Sequence, residues 1–227
     1  MNVSMAVFGL ISCSTLEKTS THGLNSGFYT LDTAGRDIPV YADMLDDTIY
    51  LHRIQNRTPE SHVFLSFPRP ADEGSVAKPV KLKKQSLDID ITTILLKYRF
   101  PTHGLPSQLT TDINAAVYAG WRFDNFTITH QKDPLGKDYQ KITNLAFDFG
   151  VFAGPGATGI SEFTTNHVST REYSGMILQG GVAGFLETNM ASFGIAAGYD
   201  YLLNSDRKIW IYHKKLWLGF IVGVALN

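Results

Sequence analysis

The stretch NMASFGIAAGYDYLL, residues 189–203, decides the fold, because read by twos it separates into two unlike faces. Ala191, Phe193, Ile195, Ala197, Tyr199, Tyr201 and Leu203 fall on one face, and Ser192, Gly194, Ala196, Gly198 and Asp200 on the other. A period of two belongs to the β-strand, whose successive side chains point to opposite sides of the sheet. The bulky face carries no charge and the opposite face is small. Which solvent the bulky face meets therefore decides where the protein resides.

The same division recurs along the chain. Residues 109–124 set Leu109, Ile113, Ala115, Val117, Ala119, Trp121 and Phe123 against Asp112, Asn114, Tyr118, Gly120, Arg122 and Asp124. Residues 144–154 set Leu145, Phe147, Phe149 and Val151 against Asn144, Asp148, Gly150 and Gly154, and the last strand sets Leu216, Leu218, Phe220, Val222, Val224 and Leu226 against Gly219, Gly223 and Ala225. Residues 173–187 are Gly-rich on both faces. Residues 87–100 begin with Asp88 and Asp90 opposite Leu87, Ile89 and Ile91, then change phase near Thr93, so that Ile94, Leu96, Tyr98 and Phe100 oppose Lys97 and Arg99. A β-bulge at Thr93 would produce that change.

These are six long strands, each near the roughly ten residues a tilted strand needs to cross hydrocarbon. A tight link at Thr188 and Asn189 alternates with longer loops at 101–108 and 155–171, as when turns lie on one side of a membrane and loops on the other; the link 125–137 is less regular. Closed membrane barrels usually have at least about eight strands. Strands from the N-terminal part, around His62 to Phe67, are therefore expected to complete the sheet.

Bulk properties narrow the classes. The formal net charge of −1 on 227 residues gives no reason to expect a nucleic-acid partner. One cysteine allows neither an intrachain disulfide nor a cysteine-based zinc site, and no run of apolar residues is long enough for a transmembrane helix. The opening MNVSMAVFGLISC ends an apolar run in Leu10-Ile11-Ser12-Cys13, a sequence that resembles the lipobox of bacterial lipoproteins, with Cys13 as the acylated residue. No Lys or Arg precedes Lys18, so either the true start is expected upstream or this is an ordinary buried segment with a chance cysteine.

The expected organisation is a signal, lipobox and tether over 1–25, a small β segment and Pro-rich linker over 26–85, and a β-barrel domain over 86–227. GFYTLDTAGRDIPVYADMLDDTIYLHRI, residues 27–54, reads as three short strands separated by turn residues. Pro59, Pro68, Pro70 and Pro79 interrupt any regular ladder over 56–85, and the basic run from Lys78 to Lys84 suits either lipid headgroups or a solvated linker.

A soluble lipocalin-like carrier also alternates, but turns its bulky residues inward. Here that arrangement would leave an outside rich in Gly and poor in Lys and Glu. With the bulky face toward lipid, the small residues fit a crowded lumen instead, in which Asp88, Asp90, Lys97, Arg99, Asp112, Arg122, Asp148 and Asp200 form a charge network. Trp121, Phe123, Tyr199, Tyr201, Trp210 and Trp217 then supply the aromatic girdles of the membrane interface. The fold expected is an all-β, antiparallel, up-and-down transmembrane β-barrel of about eight strands.

The runs GYDYLLNSDRKIWIYHKKLWLGFIVGVALN, LDIDITTILLKYRF, NAAVYAGWRFDNF and EYSGMILQGGVAG resemble a family of uncharacterised outer-membrane-type β-barrel proteins of Gram-negative bacteria. The resemblance covers about residues 87–227 and implies a bacterial outer-membrane location, without an activity. The chain departs from the most familiar barrels in lacking a terminal aromatic residue.

Chemistry is weakly signalled. His167, Ser169 and Glu172, with His130 and His213 elsewhere, are candidates for a lipid-modifying enzyme, but a triad is a matter of geometry. His22, His52, His62 and His103 are scattered singly, and no convergent metal cluster is visible. The run from Gly154 to Gly159 lacks the Lys and helix of a phosphate-binding loop and reads as a strand-exit turn. A structural or interaction role in the envelope is expected, with outer-membrane lipid and a protein held by loops 101–108 and 155–171 as partners, and with no cofactor or metal.

Overall fold

The computed structural model describes residues 23–33, 36–45, 48–67, 79–132, 134–136, 138–187 and 192–225, so the expected lipidation site Cys13 lies outside the described residues. Eleven strands form one antiparallel sheet. They are β1 (Gly27–Thr33), β2 (Arg36–Leu45), β3 (Thr48–Gln55), β4 (Thr58–Phe67), β5 (Val80–Arg99), β6 (Gln108–Thr110), β7 (Ala115–Lys132), β8 (Asp138–Ile160), β9 (Tyr173–Glu187), β10 (Ser192–Leu202) and β11 (Leu216–Ala225). No helix among the described residues is long and apolar enough to cross a membrane.

The pairings run round a closed circuit of six strands, β5-β7-β8-β9-β10-β11, with β11 returning to β5. These are the six strands that alternation picks out. The first three N-terminal strands also match the expectation, but β4, which carries His62 to Phe67, does not join the ring. It lies at the far edge of an extension, β4-β3-β2-β1-β5, so the ring has six strands and not about eight. The junction is β5, twenty residues long. Its first part pairs with β1 through Lys81 to Lys83, and its second with β11 through Asp90 to Arg99.

Several features differ from the sequence reading: the strand read over 109–124 is divided into β6 and β7, β5 begins at Val80 inside the linker expected over 56–85, and β7 and β8 outlast the apolar alternation. β7 and β8 pair from Val117↔Ala153 to Lys132↔Asp138, which leaves only 133–137 of the link expected over 125–137. Residues 155–160, expected as loop, continue β8 against β9 as far as Ile160↔Tyr173. The bulge lies at Leu95, two residues beyond Thr93, because Phe220 pairs with Leu96 and Ile221 with Ile94. Ile94 therefore points inward and is 1% exposed.

Face polarity inverts along β5, β7 and β8. Beside the N-terminal extension the inward residues Val80, Leu82, Phe126, Ile128 and Ile142 share an apolar core with Leu31, Val40 and Leu51. The outward residues at that level include Lys81, Lys141 and Thr143, and Gln85 and Asn125 mark the boundary, where they pair with the exposed Phe123 and Leu145. Further along the same strands the outward residues are Leu87, Ile89, Ile91, Val117, Trp121, Phe147, Phe149 and Val151, all exposed, and the inward ones include Asp88, Asp90 and Asp148, all buried. On the ring's other strands Met176, Leu178, Phe193, Ile195, Leu218 and Phe220 continue the apolar exterior.

A ring of six strands turns sharply, and glycines mark where its backbones press together, Gly150 and Gly181 among them. A Cβ at Gly150 would run into the Ala119 carbonyl oxygen and the Gly120 Cα; one at Gly181 would meet the Ala197 carbonyl oxygen and the Gly198 Cα. The obstacle is backbone of the paired strand, which cannot step aside as a flexible side chain can. Gly150→Ala is expected to cost about 1–3 kcal/mol, the range of overpacked interiors. Gly159→Ala, where nothing lies within 4 Å, is expected to be tolerated. Urea unfolding of the two variants followed by Trp fluorescence compares them.

Candidate functional site

The interior of the ring is filled, and its charges divide into two clusters separated by an apolar layer. That layer comprises Ile94, Ala116, Tyr118, Phe152, Ala183, Phe185, Ala196, Trp217 and Ile221. Tyr118 packs edge-on against Phe185 with ring centroids 5.0 Å apart.

The cluster nearer the extension is acidic. Asp88, Asp148 and Glu187 place carboxylate oxygens within 4.8 Å of one another, and Asp90 and Asp124 are buried with them. Arg122 faces this group, pairing with Glu187 and, at 3.1 Å, with Asp124. Tyr118 donates to Asp148 Oδ1 at 2.6 Å, and Asn144 donates to Asp124 Oδ1 at 2.8 Å. The register explains the convergence, since Arg122 sits opposite Asp148 and Glu187 opposite Ala146, one inward position away. Three carboxylates that close have the donor chemistry of a site for a hard cation, and Arg122 is the cation the chain itself supplies.

The cluster at the other end is basic. Asp200 is fully buried and accepts from Lys97 Nζ at 2.9 Å, from Arg99 Nη2 at 2.6 Å and from Trp217 Nε1 at 2.9 Å. Lys97 also donates to Asn114 Oδ1 at 3.0 Å and lies 4.6 Å from the Trp217 ring centroid. Above it the ring is capped by residues 203–215. Trp210, Ile211 and Tyr212 pack on Ile160, Ile177 and Leu202, and the Arg99 guanidinium lies 5.3 Å from the Trp210 ring and 5.1 Å from the Tyr212 ring.

Of the eight residues read as one lumen network, seven point inward and belong to these two clusters. Asp112, half-buried in the segment before β7, hydrogen-bonds through its carbonyl oxygen to Asn114 Nδ2. Glu187 was missed because β9 is Gly-rich on both faces, although counting by twos from Gln179 reaches it. Among the girdle aromatics, Trp121, Phe123 and Tyr199 are exposed on the outer face and Tyr201 is half-buried. Trp210 and Trp217 are not at the surface, being 3% and 0% exposed. Trp217 follows the inward phase of Gly219 and Ile221, where Asp200 takes its N–H.

The residues considered for acyl chemistry do not assemble. His167 Nδ1 contacts Glu162 Oε1 at 2.9 Å, and neither Ser169 nor Glu172 is its partner. His213 Nδ1 accepts from the Leu202 N–H at 3.3 Å; the side chain of His130 lies outside the described residues. Compared with protein-family models, curated proteins and solved structures, the chain gives no match.

Asp200 is the group on which the basic cluster depends. Asp200→Ala leaves Lys97 and Arg99 buried without their acid and is expected to cost about 3–5 kcal/mol, as for one partner removed from a buried ion pair. Lys83→Ala, which removes an exposed pairing with Asp32 at 2.9 Å, is expected to leave stability nearly unchanged. Urea midpoints measured for the two variants under one set of conditions test the contrast.

Proposed function

We propose that the protein is a β-barrel of the bacterial outer membrane with a structural or interaction role in the envelope. The observation that carries this reading is the inversion of polarity along β5, β7 and β8. Beside the extension the strands are built for water, apolar within and polar without. In the ring the same strands turn Leu145, Phe147, Phe149 and Val151 outward and Asp148 inward. A protein surrounded by water throughout has no reason to reverse its faces midway, because exposing a continuous apolar belt opposes the hydrophobic effect.

The dimensions suit the reading. From Leu145 to Pro155 the outward face of β8 is uncharged; ten residue steps at the usual rise and tilt reach about 25 Å, the height of the apolar band of such barrels. On the outer face a shallow apolar recess of about 510 Å³, lined by residues such as Phe149, Val182, Ile195 and Leu218, offers a bed for an acyl chain. The packed interior favours a structural or interaction role over conduction. The extension then stands in water on one side of the membrane and the loops 161–172 and 203–215 on the other.

Two measurements test the proposal. In the first, the protein is expected to stay in the outer-membrane pellet after an alkaline wash and to migrate differently on a gel with and without boiling; release into the supernatant with one mobility would refute it. In the second, Val151→Arg is expected to cost about 2–4 kcal/mol, as for a charge at the bilayer midplane, while Thr143→Arg, on the same face of β8 beside the extension, is expected to be nearly neutral. Equal tolerance of both in lipid-refolding titrations would count against a lipid-facing belt.

A further inference from the structure

On the side of the ring away from the extension, the loops 161–172 and 203–215 meet over the interior. The Ile211 N–H donates to the Thr164 carbonyl oxygen at 3.0 Å, and the Lys214 N–H to the Asp200 carbonyl oxygen at 2.9 Å. A cleft of about 680 Å³ opens between the loops, and Arg207, Lys208, Lys214 and Lys215 line it with Trp210 and His213. Lys214 has a φ of 56°, a left-handed conformation unusual for a lysine and held by its bond to Asp200.

The charge of the cleft is not balanced from within. Among the described residues no carboxylate lines it, and none of the four cations has an acidic partner. Arg207 donates to the neutral Tyr201 hydroxyl at 3.1 Å, and Lys214 stands 5.5 Å over the Tyr201 ring. The neighbouring acids are engaged, Asp200 by Lys97, Arg99 and Trp217, and Asp206 by Tyr173 at 2.7 Å. Burial, then Lys214 and Arg207, hold the His213 imidazole below its ordinary value.

Trp210, which lines the cleft, packs with Tyr212 and Arg99 in the buried layer under the loops. Trp210 Nε1, the Tyr212 hydroxyl and Arg99 Nε are buried without a hydrogen-bond partner, in an interior where such groups are ordinarily matched. An oxyanion would supply the missing charge, and phosphate suits a mixed set of Arg and Lys donors. The cleft also adjoins the apolar exterior, because Lys214 and Lys215 run directly into Leu216 and Leu218, both exposed.

We infer that this cleft binds the phosphorylated headgroup of an anionic lipid, with the lipid chain lying along Leu216 and Leu218. The lipid source rests on the membrane reading above; the oxyanion chemistry rests on the cleft alone.

The test is titration of the full-length protein, in a zwitterionic detergent, with short-chain phosphatidic acid, short-chain phosphatidylcholine and inorganic phosphate. Saturable binding of phosphatidic acid is expected, weakened about tenfold or more in Arg207→Gln/Lys208→Gln, as for lost charge-assisted hydrogen bonds. Lys81→Gln/Lys141→Gln, an equal charge change beside the extension, is expected to leave it unaltered. In the unmodified protein, raising salt from about 0.05 to about 0.5 M is expected to weaken the binding through screening, a readout that does not depend on any variant folding. Absence of saturable binding, insensitivity to salt, or equal affinity in a folded Arg207→Gln/Lys208→Gln protein would overturn the site. Inorganic phosphate binding as tightly as phosphatidic acid would overturn the lipid assignment. Because the short-chain lipid is soluble, the titration can succeed even where alkaline washing releases the protein, so failure of the membrane reading and failure of the site are separate results.

Discussion

Closing a sheet on itself with six strands leaves very little interior, and the structure follows from that constraint. Large side chains cannot all turn inward, so the inner face becomes a succession of Gly and Ala with a few large residues between them. Tyr118, Phe152, Phe185 and Trp217 fill the middle, while at Gly150 and Gly181 neighbouring backbone excludes even a methyl group. The bulky residues are left on the outside, where about 25 cal/mol per Å² of apolar area favours whatever cover removes them from water.

Where β1 to β4 join, the sheet is wider and the constraint is lifted. Tyr29, Leu31, Val40 and Leu51 then meet Val80, Leu82 and Phe126 in an ordinary apolar core, and Lys81 and Lys141 face outward. The two regimes share β5, β7 and β8 without a break in pairing. Their meeting level is the acidic cluster around Arg122, where neither an apolar interior nor an apolar exterior is complete.

The charges inside the ring are sorted by end. Acids gather beside the extension with one arginine among them, and cations gather at the capped end with Asp200 among them. Each cluster holds together through a single oppositely charged side chain, which makes Arg122 and Asp200 the positions where the interior is most exposed to mutation. The capped end continues into the loop cations, so excess positive charge reaches the surface there while the acidic end stays buried.

Alternation along the chain was enough to determine the all-β class, the six ring strands, seven of the inward charges and the exposure of Trp121, Phe123 and Tyr199. A period of two is local, and each strand displays it without reference to its partners. Closure was not local: six or eight strands depends on whether β11 meets β5 or β4, a contact between residues more than a hundred positions apart. The inward Ile94 needed the register on both sides of the Leu95 bulge, since one extra residue exchanges the faces, whereas Trp217 follows the regular alternation of β11. Glu187, hidden in a Gly-rich strand, joins Asp88 and Asp148 only when three different strands are set side by side. The cleft of Arg207, Lys208, Lys214 and Lys215 depends on how two loops fold over the end of the ring, and strand alternation carries no information about that.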